Sequence, residues 1–132
     1  MARYGRGTMA VAAGAVVWAV LWNAGTLGAQ AALPALQPGE PIEHSGILLG
    51  FIAFSVVLSL LAGYVTAAVM RSAPWAAVWV LAALQLTLGL IFEISYWSLM
   101  PAWYHLVFLA LIVPATLQGA RWHPAGRSVA AV

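Results

Sequence analysis

Four long apolar stretches, separated by short polar segments, dominate the chain. They cover about residues 8–33, 46–70, 75–94 and 101–120. An α-helix rises about 1.5 Å per residue and needs roughly 20 apolar residues to cross the hydrocarbon core of a bilayer. Each stretch meets that requirement. The pattern therefore predicts an all-α membrane protein with four transmembrane helices in an up-down antiparallel bundle.

The segments between these stretches are typical of turns. Residues 33–45 contain three prolines, which remove backbone donors and interrupt helices. A basic turn with the sequence Arg-Ser-Ala-Pro occupies 71–74, and an aromatic turn occupies 95–100. With short loops and a tail at 123–132, we expect a single four-helix domain over residues 1–132 and no separate soluble domain.

The first stretch has a second interpretation. Arg3 and Arg6 precede it, and the small-residue sequence at 29–31 resembles a signal-peptidase site, so residues 1–31 could be a cleaved signal peptide. The apolar run is, however, longer than the usual core of about 7–15 residues in a signal peptide. It also contains two tryptophans and Asn23. We therefore expect a retained first helix.

Composition narrows the class of protein. Of the 132 residues, 64% are hydrophobic and 6% are charged, whereas soluble domains carry about 25% charged residues. The chain could not coat a water-facing surface, and we expect its main partner to be the lipid bilayer. There is no cysteine, which excludes disulfides, thiolate metal sites and cysteine nucleophiles.

The distribution of charge predicts an orientation. The five arginines, at positions 3, 6, 71, 121 and 127, fall on one side of a four-span arrangement, while Glu40, Glu43 and Glu93 fall on the other. Cytoplasmic loops of membrane proteins are enriched in arginine and lysine. The N- and C-termini are therefore expected in the cytoplasm, and the net charge of +2 indicates topology rather than nucleic-acid binding.

Small residues recur at helical spacing on the second stretch. Ser55, Ser59, Gly63 and Ala67 share one face, and Gly46 and Gly50 begin another. Small residues let helix backbones approach closely where lipid supplies no hydrophobic force for association. We predict helix packing at Gly46, Gly50, Ser59, Gly63 and Ala67.

Polar residues share one face on each of the other stretches. The predicted inward faces are Ala12, Val16, Ala19, Asn23, Thr26 and Gln30 on the first, Gln85, Gly89 and Glu93 on the third, and His105, Leu109, Ile112, Thr116 and Gly119 on the fourth. Unpaired polar groups in lipid are costly. We therefore expect a polar pocket inside the bundle that is open to the outside and closed on the cytoplasmic side. Its predicted ligand or proton site comprises Glu93, His105, Asn23, Gln30, Gln85 and Ser55.

Glu93 and His105 are the most informative pair, because a short turn joins their helices and contact between them is plausible. Ionisable groups inside a membrane are functional candidates, and a carboxylate beside an imidazole can exchange a proton near neutral pH. The alternative is that the pair only joins two helices or meets water at the interface. The sequence leaves both readings open.

Other chemistry is weakly supported. Glu43, His44, Glu93 and His105 could bind a divalent metal at the outer mouth, but no spacing among them is diagnostic. Haem would need suitably placed axial ligands, yet only His105 lies inside a span. No serine or threonine has an evident histidine and acid partner. We expect no cofactor and a protein that is not an enzyme.

The fourth stretch carries a resemblance. Trp103-Tyr104-His105-Leu106, Pro114 and Leu117-Gln118-Gly119-Ala120-Arg121 resemble the C-terminal signature of uncharacterised small bacterial four-helix integral membrane proteins. That resemblance covers about 20 residues and implies a four-helix architecture in the bacterial cytoplasmic (inner) membrane. Gln118 stands where an apolar residue is more usual. Small multidrug exporters match in size, but their coupling carboxylate in the first span is missing here.

The sequence thus predicts a non-enzymatic, multi-pass inner-membrane protein that acts as an accessory or partner-binding subunit. Its partner is expected to be another membrane protein or a second copy of the chain. The alternative is a small transporter or ligand-binding protein that uses Glu93 and His105 to handle protons or substrate.

Overall fold

The computed structural model describes residues 2–33, 41–42 and 44–127, with side chains from residue 5 to 126 within those ranges. The described part is helical, without a strand. Its elements are α1 (Ala2–Ala32), α2 (Ser45–Met70), α3 (Trp75–Ser95), a 3₁₀ turn (Trp97–Leu99), α4 (Ala102–Trp122) and the short α5 (Pro124–Arg127). Helices α1 to α4 are each long and apolar enough to cross a membrane. The predicted helical class is confirmed.

Consecutive helices form two antiparallel hairpins. In the first, the hydroxyl of Thr66 on α2 donates to the carbonyl oxygen of Ala10 on α1 at 3.2 Å. Further along, a Cβ on Gly14 would lie 3.0 Å from the carbonyl oxygen of Ala62. Residue numbers thus rise on α1 as they fall on α2. In the second hairpin, α3 and α4 meet at Glu93 and His105 near the turn and at Gln85 and Thr116 deeper in the bundle.

Two glycines let α2 and α4 pack backbone against backbone. A Cβ on Gly63 would overlap the carbonyl oxygen of Thr116, and a Cβ on Gly119 would overlap that of Leu60. Ser59 and Ala67, on the same face of α2, are fully buried. The packing role predicted for Ser59, Gly63 and Ala67 therefore agrees with this interface.

Gly46 and Gly50, for which helix packing was predicted, do not pack against another helix within the described structure. A Cβ on Gly50 would meet no described atom within 4 Å, and one on Gly46 would meet only the His44 side chain. Both glycines instead line a cleft of about 420 Å³ between the end of α1 and the start of α2. Its other lining residues are Gly25, Ala29, Leu33, His44, Ile47, Phe51 and Phe54. The glycines lack side chains and so leave space there, which none of the described helices fills.

The inward face of α1 also differs from the prediction. The buried residues are Ala10, Gly14, Trp18 and Trp22, at a spacing of four, whereas Asn23 is exposed and Val16 is 58% exposed. The Trp22 ring lies 5.4 to 6.3 Å, between centroids, from the rings of Phe51, Phe54, Phe92 and Phe108. Burial of this large aromatic surface orients α1, and its polar residues are left on the sides or outside.

Basic side chains gather at one end of the bundle. Arg6 donates to the carbonyl oxygen of Val69 at 3.4 Å, and the Arg121 guanidinium lies 6.0 Å from the centre of the Trp75 ring. Arg71 follows the end of α2, where its N–H caps the carbonyl oxygen of Ala67. The opposite end holds the 3₁₀ turn, whose Leu99 carbonyl accepts a hydrogen bond from the Ile42 N–H at 2.8 Å. Glu93 and His105 lie at that opposite end.

Candidate functional site

Glu93 and His105 meet as the sequence suggested. Glu93 lies in the last turn of α3 and His105 in the first turn of α4, and Oε2 of the carboxyl group contacts Nδ1 of the imidazole. Both side chains have no solvent-exposed surface. Burying an ionisable group without a partner is costly, so this contact offsets part of the cost of enclosing both side chains.

The second ring nitrogen determines how many protons the pair carries. Nε2 of His105 lies 3.1 Å from the carbonyl oxygen of Trp97. A carbonyl oxygen can only accept a hydrogen bond, so Nε2 carries a proton and donates it. The contact between Nδ1 and Glu93 then holds one further proton, which belongs either to the imidazolium or to a neutral carboxylic acid. In both cases the pair as a whole is neutral.

Aromatic rings close the site. The Trp97 ring stacks on the His105 ring at 4.4 Å with an interplanar angle of 14°, and Tyr104 approaches the same imidazole edge-on at 5.6 Å. The predicted pocket open to the outside is therefore not found at this pair, which is enclosed. The aromatic turn at the end of the bundle covers it.

One oxygen in this enclosure remains available. Oε1 of Glu93 is buried and has no hydrogen-bond partner among the residues that the structure describes. A buried oxygen of this kind is normally bonded to water or to a ligand. The pair can therefore bind a small donor molecule, or exchange its shared proton with one.

A second polar contact lies two helical turns deeper on the same faces. The Thr116 hydroxyl lies 2.6 Å from Oε1 of Gln85, and both side chains are fully buried. Between the two polar contacts, Ile112 packs against Gly89, where an added Cβ would lie 2.9 Å from Ile112 Cδ1. The polar faces predicted on α3 and α4 are thus divided into two separate contacts by apolar packing.

The remaining predicted site residues are not assembled around the pair. Ser55 is buried on α2, but Asn23 is exposed and Gln30 is only half-buried. The Asn23 amide donates to the carbonyl oxygen of Ala19 on its own helix at 2.7 Å. The inclusion of Asn23 in an internal pocket is therefore wrong, because rotation of α1 toward its tryptophans turns this side chain outward.

The metal candidates are separated in the described structure. His44 is exposed at the start of α2, where its Nδ1 accepts a hydrogen bond from the Ile47 N–H at 3.3 Å, whereas Glu93 and His105 are enclosed. Glu43 lies outside the described residues. Within the described ranges, no three histidine or acidic side chains come together as metal ligands.

Sequence reasoning missed two contributions to these sites. Trp97 acts through its main-chain carbonyl, which leaves no signal in residue type. Thr116 was placed on the inward face of α4, but nothing in the spacing paired it with Gln85.

Comparison with known proteins does not add a family. No protein-family model matches the chain, and neither a curated protein nor a solved structure does so.

Proposed function

We propose that this chain is a multi-pass protein of the bacterial cytoplasmic membrane that acts, without catalysing a reaction, as an accessory subunit. In this proposal α1 binds another transmembrane helix, either from a different protein or from a second copy of the chain. The resemblance of the fourth span to small bacterial four-helix membrane proteins supports the assignment to that membrane.

Charge supports an orientation with both termini in the cytoplasm. Arg6, Arg71 and Arg121 lie at one end of the bundle, and Glu93 lies near the other. Positively charged ends of multi-pass proteins stay on the cytoplasmic side. The Glu93–His105 pair would then lie close to the external surface.

The observation that carries the proposal is the exposed face of α1. Only 22% of the most apolar window of α1 is buried, against 39% in each of α2, α3 and α4. Asn23 lies on that exposed face. In a bilayer its amide would keep an unused donor and acceptor facing lipid, which a polar contact with a neighbouring helix would satisfy.

Site-specific photo-crosslinking tests this proposal. A photoreactive amino acid replaces Val20, which is 57% exposed on α1 and lies close to Asn23. The matched control replaces Leu88, which is 44% exposed on α3 and lies at a similar depth. We expect an adduct from position 20 in native membranes and much less from position 88, and the mass of the adduct distinguishes a second copy from another protein.

A second substitution tests the role of the amide. Asn23→Leu should reduce the adduct from position 20 several-fold, because the polar contact is lost. Thr87→Leu is the control, since Thr87 is also exposed and bonded to its own helix, through a hydrogen bond to Ala83 at 2.8 Å. Equal adducts from both photoreactive positions, or an adduct insensitive to Asn23→Leu, would contradict the proposal.

A different observation favours a second candidate function. The enclosed Glu93–His105 pair, with Glu93 Oε1 left without a partner in the described structure, favours a small transporter or ligand-binding protein that handles protons or substrate at this pair. Its test is proton flux into liposomes that contain the purified protein and a pH-sensitive dye. Glu93→Gln and His105→Ala should each abolish a flux seen with the wild type. Wild-type flux in both variants would leave the pair with a structural role only.

A further inference from the structure

Three buried polar atoms, one on each of α1, α2 and α3, have no partner in the described structure. They are Nε1 of Trp18 on α1, Oγ of Ser59 on α2 and Nε2 of Gln85 on α3. The side chains of Ser59 and Gln85 are fully buried, and that of Trp18 is 7% exposed. Buried polar groups in folded proteins are almost always hydrogen-bonded, so three such atoms require an explanation.

The helix register places these three residues at one depth. Gly14, Ala62 and Leu81 meet, because a Cβ on Gly14 would lie 3.0 Å from the Ala62 carbonyl oxygen and 3.0 Å from Leu81 Cδ2. Trp18 and Gln85 each follow this point by one turn on helices that run in the same direction. Ser59 precedes it by three residues on α2, which runs in the opposite direction. All three therefore lie one turn nearer the Glu93 end.

The fourth helix fixes the position of the Gln85 amide. The Thr116 hydroxyl lies 2.6 Å from Gln85 Oε1 and 2.9 Å from the carbonyl oxygen of Ile112. A hydroxyl has one proton and donates fully to one acceptor at a time. Whichever acceptor takes that proton, and whichever way the amide is turned, the other half of the Gln85 amide is left without a partner in the described structure.

We propose that a single water molecule is bound between α1, α2 and α3, and that it bridges Trp18, Ser59 and Gln85. The indole N–H donates to the water oxygen. The water donates to the Ser59 hydroxyl oxygen, and it either accepts from the Gln85 NH₂ group or donates to the Gln85 carbonyl oxygen. Three bonds are the usual number for a buried water, and water satisfies all three side chains in either orientation of the amide.

An anion fits this position less well. An anion would need all three side chains to donate a hydrogen bond to it, and Gln85 can do so in only one orientation of its amide. A buried charge also requires a nearby group of opposite charge. The arginine side chains in the described structure lie at one end of the bundle; they are those of Arg6, Arg71 and Arg121. Towards the other end, the ionisable groups that the described helices contribute are Glu93, two turns along α3, and its partner His105, and this pair is neutral as a whole. The neutral occupant, water, is the one that the surroundings support.

This water site is separate from the Glu93–His105 pair. Ile112 packs against Gly89 between them, with Leu109 and Phe108 also within 4 Å of the position of a Gly89 Cβ. The inference is therefore independent of the function proposed above. A failure of the crosslinking or flux experiments leaves it untouched.

Nuclear magnetic resonance of the protein labelled with ¹⁵N-tryptophan in detergent micelles tests the site. The chain has seven tryptophans, and the loss of one indole signal in Trp18→Phe assigns that of Trp18. We expect the Trp18 indole proton to give a cross-peak at the water frequency. Cross-peaks from it to the Gln85 amide protons alone would mean that the side chains bond to each other, which would overturn the proposal.

A cross-peak at the water frequency could also arise from the Ser59 hydroxyl proton, because that proton exchanges with water. The variant Ser59→Ala distinguishes this source from a bound water molecule. The water keeps two partners in this variant, so the cross-peak should persist while the indole signal shifts. Loss of the cross-peak would assign it to the Ser59 hydroxyl and overturn the proposal. Ser95→Ala is the matched control, because that hydroxyl is exposed and donates to Ile91 on its own helix at 2.8 Å; the Trp18 signal should not change.

Discussion

The carboxyl group of Glu93 on α3 contacts Nδ1 of His105 on α4, and the other ring nitrogen of this histidine donates to the main chain of the intervening turn. The hairpin is thus closed by a side-chain pair whose orientation is set by a carbonyl oxygen that cannot change its hydrogen-bonding role. This arrangement fixes where one proton lies and confines the other to the contact between the two side chains. Several measurable properties depend on it.

The protonation state of His105 is the most direct of these properties. Nε2 of His105 should carry a proton at neutral pH, because the Trp97 carbonyl at 3.1 Å requires a donor. ¹⁵N shifts of histidine-labelled protein distinguish the two ring nitrogens, and His105→Gln assigns the signal among the three histidines of the chain. A form with an unprotonated Nε2 would show that the Trp97 hydrogen bond is not made.

The free energy of unfolding should depend more on whether residue 93 can form a hydrogen bond to His105 than on whether residue 93 is charged. Glu93→Ala leaves Nδ1 of the enclosed His105 without its partner, and breaking a buried pair costs about 3 kcal/mol or more. Glu93→Gln can still present an N–H to Nδ1, so we expect a loss of only about 1 kcal/mol. Free energies of unfolding, measured by titration with a denaturing detergent in mixed micelles, should separate the two variants.

The matched control for these variants is Ser95→Ala, two residues away on an exposed position. It should change the free energy of unfolding by less than about 0.5 kcal/mol. If Glu93→Gln proves as destabilising as Glu93→Ala, the pair is held together by the attraction between a carboxylate and an imidazolium, and a hydrogen bond from residue 93 cannot replace it.

Close backbone packing makes a separate prediction about two glycines. Gly63→Ala and Gly119→Ala would place a methyl group on a carbonyl oxygen of the facing helix, and forced overpacking costs about 1–3 kcal/mol. Gly50→Ala meets no described atom within 4 Å and should be neutral or stabilising by up to about 1 kcal/mol, as in other helices. The same unfolding titration compares the three variants.

This comparison also tests the arrangement of the helices. If Gly50→Ala were the most destabilising of the three substitutions, the helix that covers α2 would lie over the Gly46 and Gly50 face. The backbone contact between α2 and α4 would then be incorrect.

The faces of α2, α3 and α4 could be predicted from the sequence because small and polar residues on them recur at helical spacing. Gln85, Gly89 and Glu93 are all buried on α3, as are Ser55, Ser59 and Gly63 on α2. A polar or very small side chain at each turn leaves only one side of such a helix suited to the interior. The contact of Glu93 with His105 then follows from the short turn between their helices.

The face of α1 could not be predicted in this way. Asn23 and Thr26 suggested an inward face, yet each donates one hydrogen bond to its own helix, to the carbonyl oxygens of Ala19 and Trp22 at 2.7 Å. A polar residue that bonds back to its helix does not need the bundle interior. The orientation is instead determined by the burial of Trp18 and Trp22, and the Trp22 ring packs against phenylalanines from three other helices.

Topology gives the last prediction, and the absence of cysteine makes it simple to test. Ser72 lies in the turn at the arginine-rich end of the bundle, and Ser98 lies in the 3₁₀ turn at the opposite end; both are exposed. If the arginine-rich end is cytoplasmic, Ser98→Cys in intact cells should react with a membrane-impermeant maleimide, whereas Ser72→Cys should react only after the cells are opened. Because the chain has no native cysteine, each signal reports one position. The reverse pattern would place the Glu93–His105 pair near the cytoplasm, and equal labelling of both positions in intact cells would indicate that the chain inserts in both orientations.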